Sequence, residues 1–190
     1  AREKVLDELT FTLFNRIAAI KVMEAHELFP PIITKDAIHG DRSFGHKAWL
    51  EENPSMRSHE LEGLREYIKD AFNTLGEEFP LYHKDHPYAL LPHVIELGEI
   101  ITAFNAVEKD AQVEDHIWQS DDVLGWLYES YNTAKKQAFK DSGDKTEYDK
   151  VSLQSQVYTP KWVVEFLVNN SLGKLYLEMY PNSSIKDRYK

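Results

Sequence analysis

The residues best placed to do chemistry stand near the end of the chain, where Thr159 and Pro160 precede an apolar run. Thr is a favoured helix N-cap, and Pro suits the first helical position because its missing N–H has no helical acceptor there. We therefore predict a helix that begins at Pro160. The N–H groups of its first turn carry partial positive charge, so this helix start can bind a carboxylate or a phosphate.

The spacing of His83 and His86 raises the question of a metal site. A protein zinc site takes three or four ligands, and no acidic partner stands at a known ligand spacing from this pair. The chain also has no Cys, which excludes thiolate ligands and disulfides. We interpret both His residues as solvated loop residues and predict no metal site.

The apolar residues of the long segments recur at steps of three and four, which is the period of a helix, and no stretch alternates as a strand does. The fold class that we predict is all-α, an irregular helical bundle of four to five main helices with long loops. The predicted main helices cover residues 3–28, 58–75, 95–108, 120–139 and the segment from Pro160 to about residue 180, with a loop over 32–53 that carries a short helix around 47–52.

The helix over 120–139 should begin at Ser120 as N-cap, and its aromatic stripe, which includes Trp126, is typical of a core rather than of a base-stacking platform. The polar, Gly-containing stretch that follows predicts a mobile linker. We therefore divide the chain into an N-terminal helical domain over 1–140, a flexible linker over 141–155, and a segment over 156–190 that starts another domain.

Composition limits the class of protein. The length of 190 residues and the 42% hydrophobic content are typical of a globular domain, and no apolar run is long enough to span a membrane. A net charge of −10 argues against this region being the main DNA-binding surface, because phosphate contacts come from Lys and Arg. With no Cys and no signal peptide, we expect a cytoplasmic location.

Three blocks of sequence resemble a known family. They are Phe14-Asn15-Arg16-Ile17-Ala18-Ala19-Ile20-Lys21-Val22-Met23-Glu24, Leu124-Gly125-Trp126-Leu127-Tyr128-Glu129 and the run from Gln156 through Thr159-Pro160 to Leu175. In this order they resemble the N-terminal region of PglX-type adenine-specific DNA methyltransferases of bacterial phage-exclusion (BREX) systems. Related type II restriction-modification methylases share parts of the pattern. Residues 32–58 match poorly.

The resemblance implies a cofactor and a site. In such enzymes a Gln, two residues and then Thr-Pro open a helix that lines the S-adenosylmethionine pocket, so Tyr158, Thr159 and Pro160 are the implied cofactor-binding residues. The family continues with an Asp-Pro-x-Cys-Gly-Ser-Gly type loop for the cofactor and an Asn-Pro-Pro-Tyr type loop for the target adenine. Neither occurs here. We therefore expect a fragment truncated before the cofactor-binding motif, without catalytic residues of its own.

Two functions follow from the resemblance. One is the N-terminal helical part of an S-adenosylmethionine-dependent DNA adenine N6-methyltransferase that contacts DNA through its missing catalytic and recognition domains. The other is a non-enzymatic helical module that docks other subunits of a defence complex. At Asn15 and Arg16 two interpretations likewise stay open. In the first, the Asn15 amide forms local hydrogen bonds and Arg16 pairs with an acidic side chain. In the second, both residues contact the methyltransferase domain.

Overall fold

The computed structural model describes residues 2–113, 116–143 and 158–188. Their contacts divide the chain into two compact units, Ala1–Asp121 and Asp122–Lys190. The described residues are mainly helical, with one pair of two-residue strands, so the predicted all-α class is confirmed. The helix over 123–142 belongs to the C-terminal unit, whereas the sequence analysis placed it in a domain over 1–140. The domain division stays a prediction, and residues 144–155 of its linker lie outside the described residues.

The core of the N-terminal unit forms where α1 (Arg2–Ala25), α3 (Leu64–Gly76) and α4 (Val94–Ala106) pack together. Each helix buries one face, which in α1 contains Arg16, Lys21 and Glu24 beside apolar side chains. The apolar side chains of these faces meet because burial removes them from water. The side chains with the least exposure come from all three helices, and they include Ile17, Ile20, Ile68, Leu97 and Ile101.

The chain reverses after α1 because of a buried acid. The carboxylate of Glu24 accepts hydrogen bonds from the backbone N–H groups of Ile32, Ile33 and Thr34, at 2.6, 2.7 and 3.1 Å. The helix therefore ends at Ala25, before the predicted residue 28, and Glu27 adopts a left-handed φ of 57°. Pro30 and Pro31 then prevent its continuation.

The predicted loop over 32–53 contains a small hairpin that the sequence analysis missed. Strand β1 (Lys35–Asp36) pairs antiparallel with β2 (Arg42–Ser43), and a 3₁₀ turn joins them. Two-residue strands are too short to show alternation, so no pattern could reveal them. Helix α2 (Phe44–Glu52) follows directly and starts earlier than predicted, because the Ser43 hydroxyl accepts from the N–H of His46 at 3.1 Å.

Helix α3 begins at Leu64 and not at residue 58 as predicted. Leu61, Glu62 and Gly63 have φ values of 46°, 54° and 66°, which interrupt the helical path. Tertiary contacts hold this kink, since both carboxylate oxygens of Glu62 accept from the Arg42 guanidinium, at 2.5 and 2.7 Å. The apolar period therefore continues through a segment that is not an α-helix.

The C-terminal unit contains α5 (Val123–Ser142), α6 (Lys161–Val168) and α7 (Lys174–Met179). A single π-helical stretch, Asn169–Gly173, connects α6 to α7 without a break. The predicted N-cap at Ser120 is wrong, because Asp122 occupies that position and forms no side-chain cap hydrogen bond. Within the described residues, each helix is too short or too polar to cross a lipid bilayer.

Candidate functional site

The predicted helix start is present, but it lies one residue later than expected. Pro160 has φ −56° and ψ 144°, which is not helical, so it is the N-cap and Lys161 is the first helical residue. The Pro160 carbonyl accepts from the N–H groups of Val163 and Val164 at 2.9 and 3.2 Å. The prediction that Thr159 is the N-cap is therefore wrong. It stands one position too early for its hydroxyl to reach the first-turn N–H groups.

Tyr158 is fixed by contacts with the start of α5. Its hydroxyl donates to the Oδ1 atom of Asp122 at 2.7 Å. A Cβ atom at Gly125 would overlap the Tyr158 ring atoms Cε2 and Cζ, so the ring lies directly against the helix backbone. The structure thus brings together residues from two of the sequence blocks that carry the family resemblance.

The residues at this helix start offer hydrogen-bond donors of the kind that one end of S-adenosylmethionine would need. Thr159 and Pro160 are exposed. No hydrogen bond of the Thr159 hydroxyl appears among the residues that the structure describes. A hydroxyl and the N–H groups of a first helical turn are hydrogen-bond donors of the kind that a carboxylate accepts, such as that of the cofactor's methionine end. The assignment of Tyr158, Thr159 and Pro160 to a cofactor site stays a prediction.

The helix that follows exposes an unusual amount of apolar surface. Trp162 is 70% exposed, Phe166 61% and Leu172 67%. The exposed side chains lie on more than one face of α6, the π-helical stretch and α7, and include Trp162, Val164, Phe166, Leu167, Val168, Leu172, Leu175, Tyr176 and Met179. An exposed apolar patch of this extent marks an interaction surface in folded proteins. We call these side chains the exposed helix surface.

Arg16 has a different environment from the one predicted. Its side chain is 2% exposed, its Nε donates to the Leu81 carbonyl at 2.8 Å, and its guanidinium lies 5.4 Å from the centre of the Phe72 ring. Among the described residues Arg16 forms no ion pair with an acid, so the interpretation that paired it with one is wrong. Burial lowers the pKa of Arg16, with a smaller opposing effect from Tyr82, whose hydroxyl donates to the Arg16 carbonyl at 2.7 Å.

A second buried cluster surrounds Lys21 and Glu24, and it was not predicted from the sequence. Lys21 is 1% exposed, donates to the Thr34 hydroxyl at 2.7 Å and forms an ion pair with Glu108 at 2.6 Å. The Thr34 hydroxyl also donates to Glu24. Burial raises the pKa of Glu24, opposed mainly by the hydrogen bond from Thr34. Lys21 and Glu24 stand three apart on the predicted helix, and that spacing was the available signal.

A cavity of about 650 Å³ lies among the hairpin, the kink before α3, and α4. Its apolar lining includes Ile33 and Ile101, and the Arg42–Glu62 ion pair lies at its polar side. His46 is 5% exposed there, with Nε2 3.0 Å from the Glu62 carbonyl, and burial lowers its pKa. No local sequence pattern indicates this cavity, because its lining comes from segments far apart in the chain.

The other candidate, the His83 and His86 pair, lies in an irregular segment. His83 is exposed, and its Nδ1 accepts from the Asp85 N–H at 3.3 Å. His86 accepts in the same way from the N–H of Tyr88, at 3.2 Å. Across the described part of the chain, no group of His, Asp and Glu side chains is arranged to hold a metal ion.

The fold and the site therefore define a largely helical chain with an exposed Thr-Pro helix start. Two curated proteins are similar to nearly all of it. Adenine-specific methyltransferase BrxX of Escherichia coli O9:H4 (strain HS) is 26% identical over 98% of this chain. Adenine-specific methyltransferase PglX of Lacticaseibacillus casei (strain Zhang) is 25% identical over 92% of it. The chain is thus related to PglX-like adenine-specific methyltransferases.

This chain spans about 16% of the length of each of these relatives. No family model matches it, and no solved structure does.

Proposed function

We propose that this chain is the N-terminal helical part of an S-adenosylmethionine-dependent DNA adenine N6-methyltransferase of a bacterial phage-defence (BREX) or restriction-modification system. The observation that carries the proposal is the similarity to two adenine-specific methyltransferases over 98% and 92% of the chain. The sequence blocks that resemble the family agree with it. The chain spans about 16% of those relatives, and we assign the catalytic groups to the rest of the protein.

The role that we assign to this part is support of the cofactor site. Tyr158, Thr159 and Pro160 line one wall of the pocket, where the helix start binds the carboxylate of S-adenosylmethionine. When bound, the cofactor supplies the methyl group that is transferred to N6 of adenine. The catalytic domain covers the exposed helix surface, which accounts for apolar side chains that the C-terminal unit leaves in contact with water.

DNA is the proposed substrate, and we assign its binding mainly to the rest of the protein. The net charge of −10 over these 190 residues makes phosphate binding by this part unfavourable. Because the substrate is bacterial DNA, the proposed place of action is the cytoplasm.

The test is expression of the full-length gene that encodes this chain in a host without N6-methyladenine at the corresponding DNA sites. Sequencing that detects methylated bases should then show N6-methyladenine in one defined sequence context. A full-length variant with a disrupted base-holding loop is the matched control and should leave the DNA unmodified. Unmodified DNA with the intact gene, together with no binding of S-adenosylmethionine by the purified protein, would overturn the proposal.

The second candidate is a non-enzymatic module that docks another subunit of the defence complex. The exposed helix surface favours it, because a partner protein would bury the same side chains. The two candidates differ in what the isolated chain does. Coexpression of the 190-residue chain with each subunit encoded beside the gene, followed by size-exclusion chromatography, should give co-elution if docking is its function. Elution of the chain alone in every case would exclude this candidate.

A further inference from the structure

The start of α5 and the residue before the Thr-Pro step form one contact. Asp122, the N-cap of α5, and Gly125 in its first turn stand three apart, so both lie on the same side of the helix start. The Asp122 carboxylate accepts the Tyr158 hydroxyl at 2.7 Å, and the Tyr158 ring lies against the backbone at Gly125. A hydrogen bond and a close ring contact together fix both ends of the Tyr158 side chain.

We propose that Asp122 and Gly125 are positioning residues that hold Tyr158 and thereby set the direction of the α6 start. This inference rests on the proposed function and deepens it, since it makes the cofactor site depend on α5. The link between Tyr158 and α6 is short and stiff. Pro160 has a fixed φ, and the residue before a proline is confined to extended conformations. A displacement of Tyr158 is therefore transmitted to the first turn of α6.

Gly125 is otherwise an unfavourable residue inside a helix. Ala at an interior helical position is more stable than Gly, so the helix alone would favour Ala here. Tyr158 gives the reason for Gly, because a Cβ atom would overlap its ring. Asp122 forms no side-chain cap hydrogen bond with α5, so removing its carboxylate does not remove a helix cap.

The first experiment measures hydrogen exchange of residues 161–168 in the 190-residue chain. Asp122→Ala and Tyr158→Phe each remove the hydrogen bond, and we expect about fivefold faster exchange at the start of α6. Gly125→Ala should also increase exchange there, although it raises the helix propensity of α5. Asp122→Asn keeps an oxygen acceptor and should restore slow exchange. Ser130→Ala, on the exposed side of α5, is the matched control and should change nothing.

The second experiment separates positioning from general stability in the full-length protein. For Asp122→Ala and Gly125→Ala we expect KM for S-adenosylmethionine to rise several-fold, KM for DNA to stay constant, and Asp122→Asn to recover the wild-type value. A change in stability alone would lower the amount of active enzyme without shifting one KM selectively.

The possible outcomes are distinct. Wild-type exchange at 161–168 in both Asp122→Ala and Tyr158→Phe would overturn the inference. So would faster exchange combined with an unchanged KM for S-adenosylmethionine. If the wild-type full-length protein binds no S-adenosylmethionine, the proposed function fails, and the effect of Asp122 and Gly125 on a cofactor site fails with it. The exchange data would then still report whether Asp122 and Gly125 hold the helix start.

Discussion

At the residue scale, Glu24 accepts hydrogen bonds from consecutive backbone N–H groups that the reversal after α1 leaves without helical or strand acceptors. Glu24→Gln replaces one carboxylate oxygen with an amide donor. We therefore expect the free energy of unfolding to fall by about 1–3 kcal/mol, because one buried N–H group loses its acceptor. Urea denaturation of the 190-residue chain measures the loss. Glu27→Gln, at an exposed position, is the control and should be neutral.

His46 predicts a dependence of stability on pH. In an unfolded chain His titrates near 6.5, and burial lowers the pKa of folded His46. Between these two values the unfolded state binds a proton that the folded state does not, so the free energy of unfolding falls as pH drops below about 6.5. Glu62, Arg42 and Lys35 are the charged groups that act on the ring, Glu62 in the opposite direction to burial.

The measurement is urea denaturation of the wild type and His46→Gln between about pH 7.5 and about pH 5.5. The Gln side chain can still donate to the Glu62 carbonyl but does not titrate in this range. We expect the wild type to lose more stability on acidification than the variant. Glu24 has a raised pKa in the folded state, so its contribution to the free energy of unfolding increases as pH falls. Both proteins contain Glu24, so this contribution cancels when they are compared. Equal losses would show that His46 is not the responsible group.

At the scale of the element, two helix starts that look alike in sequence differ in structure. Ser43 caps α2 through its hydroxyl, whereas Thr159 makes no cap hydrogen bond to α6. Ser43→Ala should therefore lower the free energy of unfolding by about 1 kcal/mol. Thr159→Ala should change it by less than about 0.5 kcal/mol, as is usual for an exposed side chain. Chemical denaturation of both variants measures these two losses. An equal loss in free energy of unfolding would mean that Thr159 does cap α6.

The same helix start carries a prediction for the full-length protein. Thr159→Ala combined with Pro160→Gly should weaken S-adenosylmethionine binding more than it lowers the melting temperature. The variant removes a hydroxyl donor and frees the direction of the first turn, and a misplacement of about 1 Å can lower a rate by on the order of a hundredfold. Cofactor affinity and adenine methylation are measured beside thermal unfolding.

Lys174→Ala, exposed further along the same helical segment, is the control for this variant. Earlier melting of the Thr159 and Pro160 double variant with normal cofactor binding by its folded form would mean that these residues only start a helix.

At the scale of the whole molecule, we expect the isolated chain to transfer no methyl group and to bind S-adenosylmethionine feebly. One wall of a pocket leaves the cofactor in contact with water and supplies few of the polar groups that orient a ligand. Titration calorimetry and transfer of a radiolabelled methyl group to DNA test this. Micromolar binding by the 190-residue chain would contradict the assignment of the pocket to the rest of the protein.

The sequence by itself determined the all-α class and the positions of most long helices, because an apolar face with a period near 3.6 is a local property of the chain. The long helix that became α1 was predicted in this way, and the helix after Pro160 was predicted from its Thr-Pro start. The three sequence blocks likewise indicated the relation to PglX-like methyltransferases, since residue types at fixed spacing need no structure to be compared.

The tertiary structure decided features that depend on residues far apart in the chain. The period over residues 58–75 predicted one helix, but the Arg42–Glu62 ion pair holds a kink at 61–63, and no local pattern encodes a partner twenty residues away. The contact of Tyr158 with Asp122 and Gly125 joins segments separated by more than thirty residues. Burial and close approach are properties of the packed chain, so only the fold could show why Gly stands at position 125.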